Sequence, residues 1–233
     1  MDKGLCSKDF MYLSEVDPSI VVSLRYSTPE NFIGRPVDGY RKPLAIVTRQ
    51  VAEALKKAQK ELNKDGYSLV VYDAYRPQQA VDCFMEWSEN PHDQVKKLHY
   101  YPRVDKSRVF ELGYVAKRSS HSRGSTVDIT LIEYGKALHE ILVEDRTLLD
   151  GFTIKYLNDG TVDMGSSFDL FDRVSHHINN LITHDHKNIR AYLRRIMEKQ
   201  GFKTIEEEWW HYVLKEEPYS ADHESSYFNY CVE

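Results

Sequence analysis

Ser125-Thr126-Val127-Asp128-Ile129-Thr130-Leu131-Ile132 alternates apolar and polar side chains at the period of a β-strand. Val127, Ile129 and Leu131 share one face, which predicts a core contact, and leave Asp128 and Thr130 on the other. An acidic side chain opposite a core face is expected to look into solvent or a cleft, within reach of a ligand. Working outward, residues 48–64 read as a helix, with Thr48 as cap, Val51, Leu55, Ala58 and Leu62 at helical spacing, and Gly66 just beyond. Tyr67–Asp73 is a β-rich run, and Gln78–Trp87 reads as a second helix opening after Pro77. Residues 187–200 form a third, with Ile189, Leu193 and Ile196 inward and Gly201 at its end. Trp209–Leu214 is strongly β-forming. Helices and strands mix without a regular βαβ rhythm, which predicts one α+β domain over residues 1–233 with a mainly antiparallel central sheet flanked by helices. Residues 133–160, containing Gly135, Gly151 and Gly160, read as an insertion on the rim.

The composition fits that picture. The chain has 233 residues, 41% hydrophobic and 29% charged, an ordinary globular mixture long enough for one well-packed core. A formal charge of -5 and the lack of a basic stripe argue against nucleic-acid binding. No stretch approaches the roughly 18–20 apolar residues of a membrane span. The N-terminus, Met1 to Phe10, is polar and lacks a signal-peptide core. Cys6, Cys83 and Cys231 are odd in number and widely spaced, as expected of a reducing compartment. The expectation is a cytoplasmic chain, with a periplasmic one as alternative had a leader been removed. A homodimer is compatible with this sequence.

Three segments carry chemistry. Ser119-Ser120-His121-Ser122-Arg123-Gly124-Ser125-Thr126-Val127-Asp128 offers a His and an Asp, both zinc ligand types; a third protein ligand would leave one position for water. Glu208-Trp209-Trp210-His211 places a carboxylate three residues before an imidazole. Zinc lowers the pKa of bound water to about 7, and a nearby carboxylate can accept the proton. In a plain strand Glu208 and His211 would face opposite sides, so a bend is required there. Asp73-Ala74-Tyr75-Arg76-Pro77 sets an Arg in a rigid turn, suited to a developing oxyanion. Each segment alone also has a plain reading: a turn with a surface His, a half-buried His at a strand end, an Arg closing a turn onto a carboxylate.

Taken together and in order, DAYRP, SSHSRGSTVD and EWWH resemble the zinc D-alanyl-D-alanine dipeptidases of the vancomycin-resistance type (VanX), within the wider zinc D,D-peptidase and hedgehog-like family. The likeness includes Leu24-Arg25-Tyr26, Asn31-Phe32, Pro36–Tyr40, Cys83-Phe84-Met85, Glu217-Pro218-Tyr219 and Tyr227-Phe228, nearly the whole chain outside 133–160. It implies that family's fold and one Zn2+ per chain, held by His121, Asp128 and His211. It implies Glu208 as general base and Arg76 as the group polarising the scissile carbonyl. Asp169, matched across the insertion, would receive the substrate ammonium, and Tyr26 and Ser119 would line the substrate site. The implied activity is hydrolysis of the D-Ala-D-Ala dipeptide; a free dipeptide carries charge at both ends, which a closed site can read.

Two other readings stand beside it: a D,D-carboxypeptidase acting on longer peptidoglycan peptides, and a non-catalytic zinc-binding domain, for which a retained Glu208 and Arg76 would be superfluous. His176-His177 and His184-Asp185-His186 are read as surface or capping groups, with Asp185 or Asn188 as a helix cap. Cys83 is read as packing, with no activating base beside it.

Overall fold

The computed structural model describes residues 9–219 and 222–233; Cys6 lies outside them. In chain order it runs β1 (Phe10–Tyr12), α1 (Leu13–Val16), β2 (Val21–Val22), β3 (Ile46–Thr48), α2 (Arg49–Leu62), β4 (Tyr67–Asp73), α3 (Gln78–Glu89), α4 (Lys97–Tyr100), β5 (Thr126–Glu133), β6 (Leu142–Thr147), β7 (Thr153–Asn158), α5 (His184–Lys199), β8 (Phe202–Thr204) and β9 (His211–Leu214).

The alternating stretch becomes β5, the middle strand of a five-stranded sheet of order β2-β4-β5-β9-β8. The β2–β4 pair is parallel and the other three pairs are antiparallel, so the sheet is mainly antiparallel as expected. A central strand is covered on both faces, and every residue from Thr126 to Ile132 is buried. The Asp128 face was expected to look into solvent or a cleft, and bulk solvent is not what it meets. Asp128 still lines a cleft, while the Thr130 hydroxyl is buried without a hydrogen-bond partner.

The helices follow their apolar periodicity. α2 buries Val51, Leu55, Ala58 and Leu62, and α5 buries Leu193, Ile196 and Met197. Thr48 stands at the α2 N-cap position but its side chain makes no cap bond; it belongs to β3, paired with Phe10, and its hydroxyl is buried. After α2 a single 3-10 turn leads to Gly66, whose φ of +84° ends the element as only glycine does readily. α5 starts at His184, three residues before its periodic stretch, and the cap is Thr183, which accepts from the His186 N–H at 3.4 Å. Neither Asp185 nor Asn188 serves as the cap.

Residues 133–160 form the exposed β6–β7 hairpin, in register from Leu142↔Asn158 to Thr147↔Thr153. Leu148 and Ile154 sink into a small second core with Leu170, Val174 and Ile182. At the far end of the chain, the Phe228 N–H donates to Ser122 O and its carbonyl accepts from Gln78 N–H, both at 3.0 Å. The C-terminal segment thus ties the turn after β4 to the turn before β5. Among the described residues no helix is long and apolar enough to cross a membrane.

Candidate active site

The sheet itself aligns the chemistry. Asp73 on β4 pairs with Asp128 on β5, next to an irregularity that follows Val71, and Asp128 pairs with His211 on β9. One row across three strands therefore carries two carboxylates and an imidazole. Just before β5, residues 120–123 wind into a 3-10 turn whose first free N–H groups are capped by Ser119: its Oγ accepts from His121 N–H at 3.3 Å. That turn aims His121 back at the row. Gly124 closes it at φ +71°, and a Cβ there would meet the Phe10 ring at 2.1 Å, so the position requires glycine.

His121 Nδ1 lies 2.8 Å from Ala74 O, which fixes that nitrogen as donor and leaves the Nε2 lone pair pointing inward. His121 Nε2, Asp128 Oδ1 and His211 Nδ1 then form a triangle with sides of 3.3, 3.2 and 3.4 Å. A tetrahedral zinc with bonds of about 2.0–2.1 Å holds its ligands about 3.3–3.4 Å apart, so the three donors fit such an ion. The charge balance fits too. Asp73, Asp128, Asp169 and Glu208 are all buried around one guanidinium, Arg76, and a divalent cation offsets the excess. Among the described residues this is the one group of three such side chains arranged to hold a metal.

The bend required near Glu208 is present. Trp209 and Trp210 sit in a turn and not in the expected strand, which begins only at His211. The His211 N–H meets Glu208 O at 3.4 Å across that turn, and Glu208 Oε2 comes to 3.6 Å from His211 Nδ1. Burial, with the charges of Asp128 and Asp169 behind it, pushes the Glu208 carboxyl well above the ordinary carboxylate range. Asp128 goes the other way: burial pushes it up, but the His121 and His211 rings outweigh that and hold it below.

Arg76 closes its turn onto a carboxylate and also lines the cleft. Its Nε donates to Asp73 Oδ2 at 2.9 Å, and its Nη2 reaches Asp128 Oδ2 at 3.4 Å. The guanidinium lies 5.0 Å over the Tyr26 ring and 5.2 Å over Phe84. Tyr26 OH donates to Asp169 Oδ2 at 2.8 Å. Asp169 is 4% exposed, adopts φ +60°, and is pushed well upward by burial and the neighbouring Asp128 charge. All eight residues singled out in the sequence, Tyr26, Arg76, Ser119, His121, Asp128, Asp169, Glu208 and His211, line one cleft of about 510 Å³.

Two contributors were not singled out. Asp73 orients Arg76, and Tyr40 OH donates to Asp73 Oδ1 at 2.7 Å. The signal for Asp73 was the carboxylate three residues before the arginine; Tyr40 entered only within the Pro36–Tyr40 likeness, with no role attached. The other histidines stay apart from the cleft. His176 Nε2 is 3.2 Å from Tyr114 OH, and His186 faces Asp163. Cys83 is packed on α3, its thiol pushed up by burial.

The family model for D-Ala-D-Ala dipeptidases, peptidase M15, matches residues 6–139 and 149–232. The chain belongs to this family.

The D-alanyl-D-alanine dipeptidase of Enterococcus faecium is 40% identical over 223 residues, 96% of this chain and 98% of that one. The one from Streptomyces coelicolor is 38% identical over 224 residues, with the same coverage. That of Escherichia coli is 29% identical over 203 residues, 87% of this chain and 82% of the other. As a member of the dipeptidase family the chain is a peptidase, and its match extends further into 133–160 than the sequence suggested. Within 133–160 only 140–148, which includes the whole of β6, falls outside the family model.

Proposed function

We propose that this peptidase hydrolyses D-Ala-D-Ala to two D-alanines, with one zinc ion held by His121, Asp128 and His211. The observation that carries the reading is the 3.2–3.4 Å triangle of donor atoms with Glu208 beside it, in a cleft that the buried Asp169 also lines. Zinc, when bound, would polarise the scissile carbonyl and make water a stronger acid. Glu208 takes a proton from the attacking water as the new C–O bond forms. It returns that proton to the departing amine as the C–N bond breaks, so one carboxylate serves as base and then acid. Arg76, fixed by Asp73, donates to the oxygen on which negative charge develops. Asp169, supported by Tyr26, accepts the substrate ammonium, and Ser119 lines the cleft with a hydroxyl proton free to donate.

A buried carboxylate at the amine end selects a free N-terminus, because an acylated amine would leave Asp169 without its counter-charge. This favours the dipeptide over the longer peptides that a D,D-carboxypeptidase trims. The presence of both Glu208 and Arg76 in the cleft weighs against a non-catalytic zinc domain. The test is kinetic: D-Ala-D-Ala, its N-acetyl form and a D-Ala-D-Ala-terminated pentapeptide, assayed side by side with the zinc-loaded protein. Strong preference for the free dipeptide is expected. Comparable rates on the pentapeptide would transfer the assignment to a D,D-carboxypeptidase.

A further inference from the structure

β6 is the strand that the family model leaves out, and it is exposed along almost its whole length. Its hairpin packs inward on α4 and on Leu181 and Ile182, and a set of its polar and apolar contacts falls on the segment 163–175, which carries Asp169. Arg146 on β6 grips Asp163 with two bonds of 2.6 Å, and its guanidinium lies 3.5 Å over the Tyr156 ring of β7. On β7, the Leu157 N–H donates to Ser167 Oγ at 2.7 Å. In the hairpin turn, Asp150 accepts from Arg103 at 2.8 Å, and the same guanidinium holds Asp172 through Nε at 2.6 Å. Leu148 and Ile154 pack with Leu170 and Val174. The attachments therefore fall on both sides of Asp169, a non-glycine residue in the left-handed region that needs its surroundings to hold it.

We infer that the β6–β7 hairpin, acting through Arg146, positions Asp169 and so sets how strongly the cleft prefers a free amino terminus. The inference rests on the reading of Asp169 as the group that meets the substrate ammonium. Arg146 is well placed to act without being essential to the fold. When it is lost, Asp163 keeps the Gly165 N–H at 2.8 Å and His186 at 3.4 Å, so the segment stays attached on its inner side. Arg190 also holds that side, donating to Met164 O at 2.6 Å and to Ser166 Oγ at 3.0 Å. What goes is the outer tether. A carboxylate displaced by even an ångström serves a fixed ammonium poorly.

The experiment uses the zinc-loaded full chain and its Arg146→Ala, Asp169→Ala and doubly substituted forms. Each is assayed on D-Ala-D-Ala, with N-acetyl-D-Ala-D-Ala followed as substrate or as competitor. Arg146→Ala should raise KM for the free dipeptide about fivefold to twentyfold while kcat changes less than about twofold, with the blocked dipeptide little affected. In the double variant, Arg146→Ala should add nothing to the loss caused by Asp169→Ala, since it acts through that side chain. An unchanged KM, equal losses on both dipeptides, or additive losses would each overturn the inference. Should Arg146→Ala fail to fold, Asp150→Ala loosens the Arg103 tether from a more exposed position and must shift KM in the same direction. If Asp169→Ala itself leaves the preference intact, the ammonium assignment falls, and the inference falls with it. If Asp169→Ala erases the preference and Arg146→Ala leaves it whole, the hairpin inference alone is lost.

Discussion

Asp128 and His211 are direct register partners across β5 and β9, and their Oδ1 and Nδ1 atoms lie 3.2 Å apart, with Asp128 buried and His211 partly exposed to the cleft. Strand pairing thus fixes two of the three proposed ligands before any ion binds, and only His121 needs a turn of its own to reach them.

His211→Ala should lower the zinc content from about one ion per chain to a small fraction, since two remaining protein donors hold zinc poorly. Metal analysis after dialysis against a weak chelator measures it. Full occupancy in the variant would remove His211 from the ligand set.

Glu208→Ala should keep the metal and lose about a hundredfold to ten-thousandfold in kcat, the range of a positioned general base. Near-normal turnover would place the base elsewhere. Arg76→Lys should keep charge near Asp73 but lose the planar fork, lowering kcat by about a hundredfold to a thousandfold. A change confined to KM would show that Arg76 contributes to ground-state binding alone.

Tyr40→Phe removes the 2.7 Å bond to Asp73, whose other oxygen receives Arg76. Urea unfolding should register a loss of about 1.5–3 kcal/mol, as for a bond to a charged group, with zinc retained. A neutral result would mean that Asp73 finds a substitute donor.

Burial, helped by Arg194 and Arg190, pushes His177 down to about 3, and its Nε2 has no hydrogen-bond partner. The unfolded chain, with a His value of about 6.5, takes up the proton first, so folding must exclude it. This group's contribution is constant above about pH 6.5, is lost as pH falls, and levels off near pH 3. Unfolding measured at pH 7.5 and pH 5 should show a smaller acid loss in His177→Leu than in the unaltered chain. An identical loss would mean that other groups govern the acid limb.

The helices and β5 were legible because apolar periodicity follows from burying one face, and α2, α3 and α5 each do so. The layers above β5 were not legible: alternation marks Asp128 as off the core face but says nothing of what covers that face. Helix caps also misled, since Thr48 is drawn into strand pairing by Phe10, and Thr183 lies outside the periodic stretch that advertised α5. Six of the eight site residues lie in the three motifs that occur together and in order, and Tyr26 and Asp169 could be named through the family resemblance alone. The role of Tyr40 could not be read, because it depends on a contact with Asp73, 33 positions away in sequence, that no local pattern encodes. The Glu208–His211 bend was deduced as a requirement, yet only the turn at Trp209-Trp210 shows how it is met.

The row Asp73–Asp128–His211 draws on strands from the first third, the middle and the last tenth of the chain. Pairings of such sequence separation form late in folding, after the closure of long loops. A growing chain that has not yet delivered residue 211 can offer an incoming ion only His121 and Asp128. Uptake of zinc should therefore coincide with completion of the sheet instead of nucleating it, and metal loading becomes a direct reporter of finished folding. On the proposed ligand set, a chain that still lacks residue 211 would not carry the complete site.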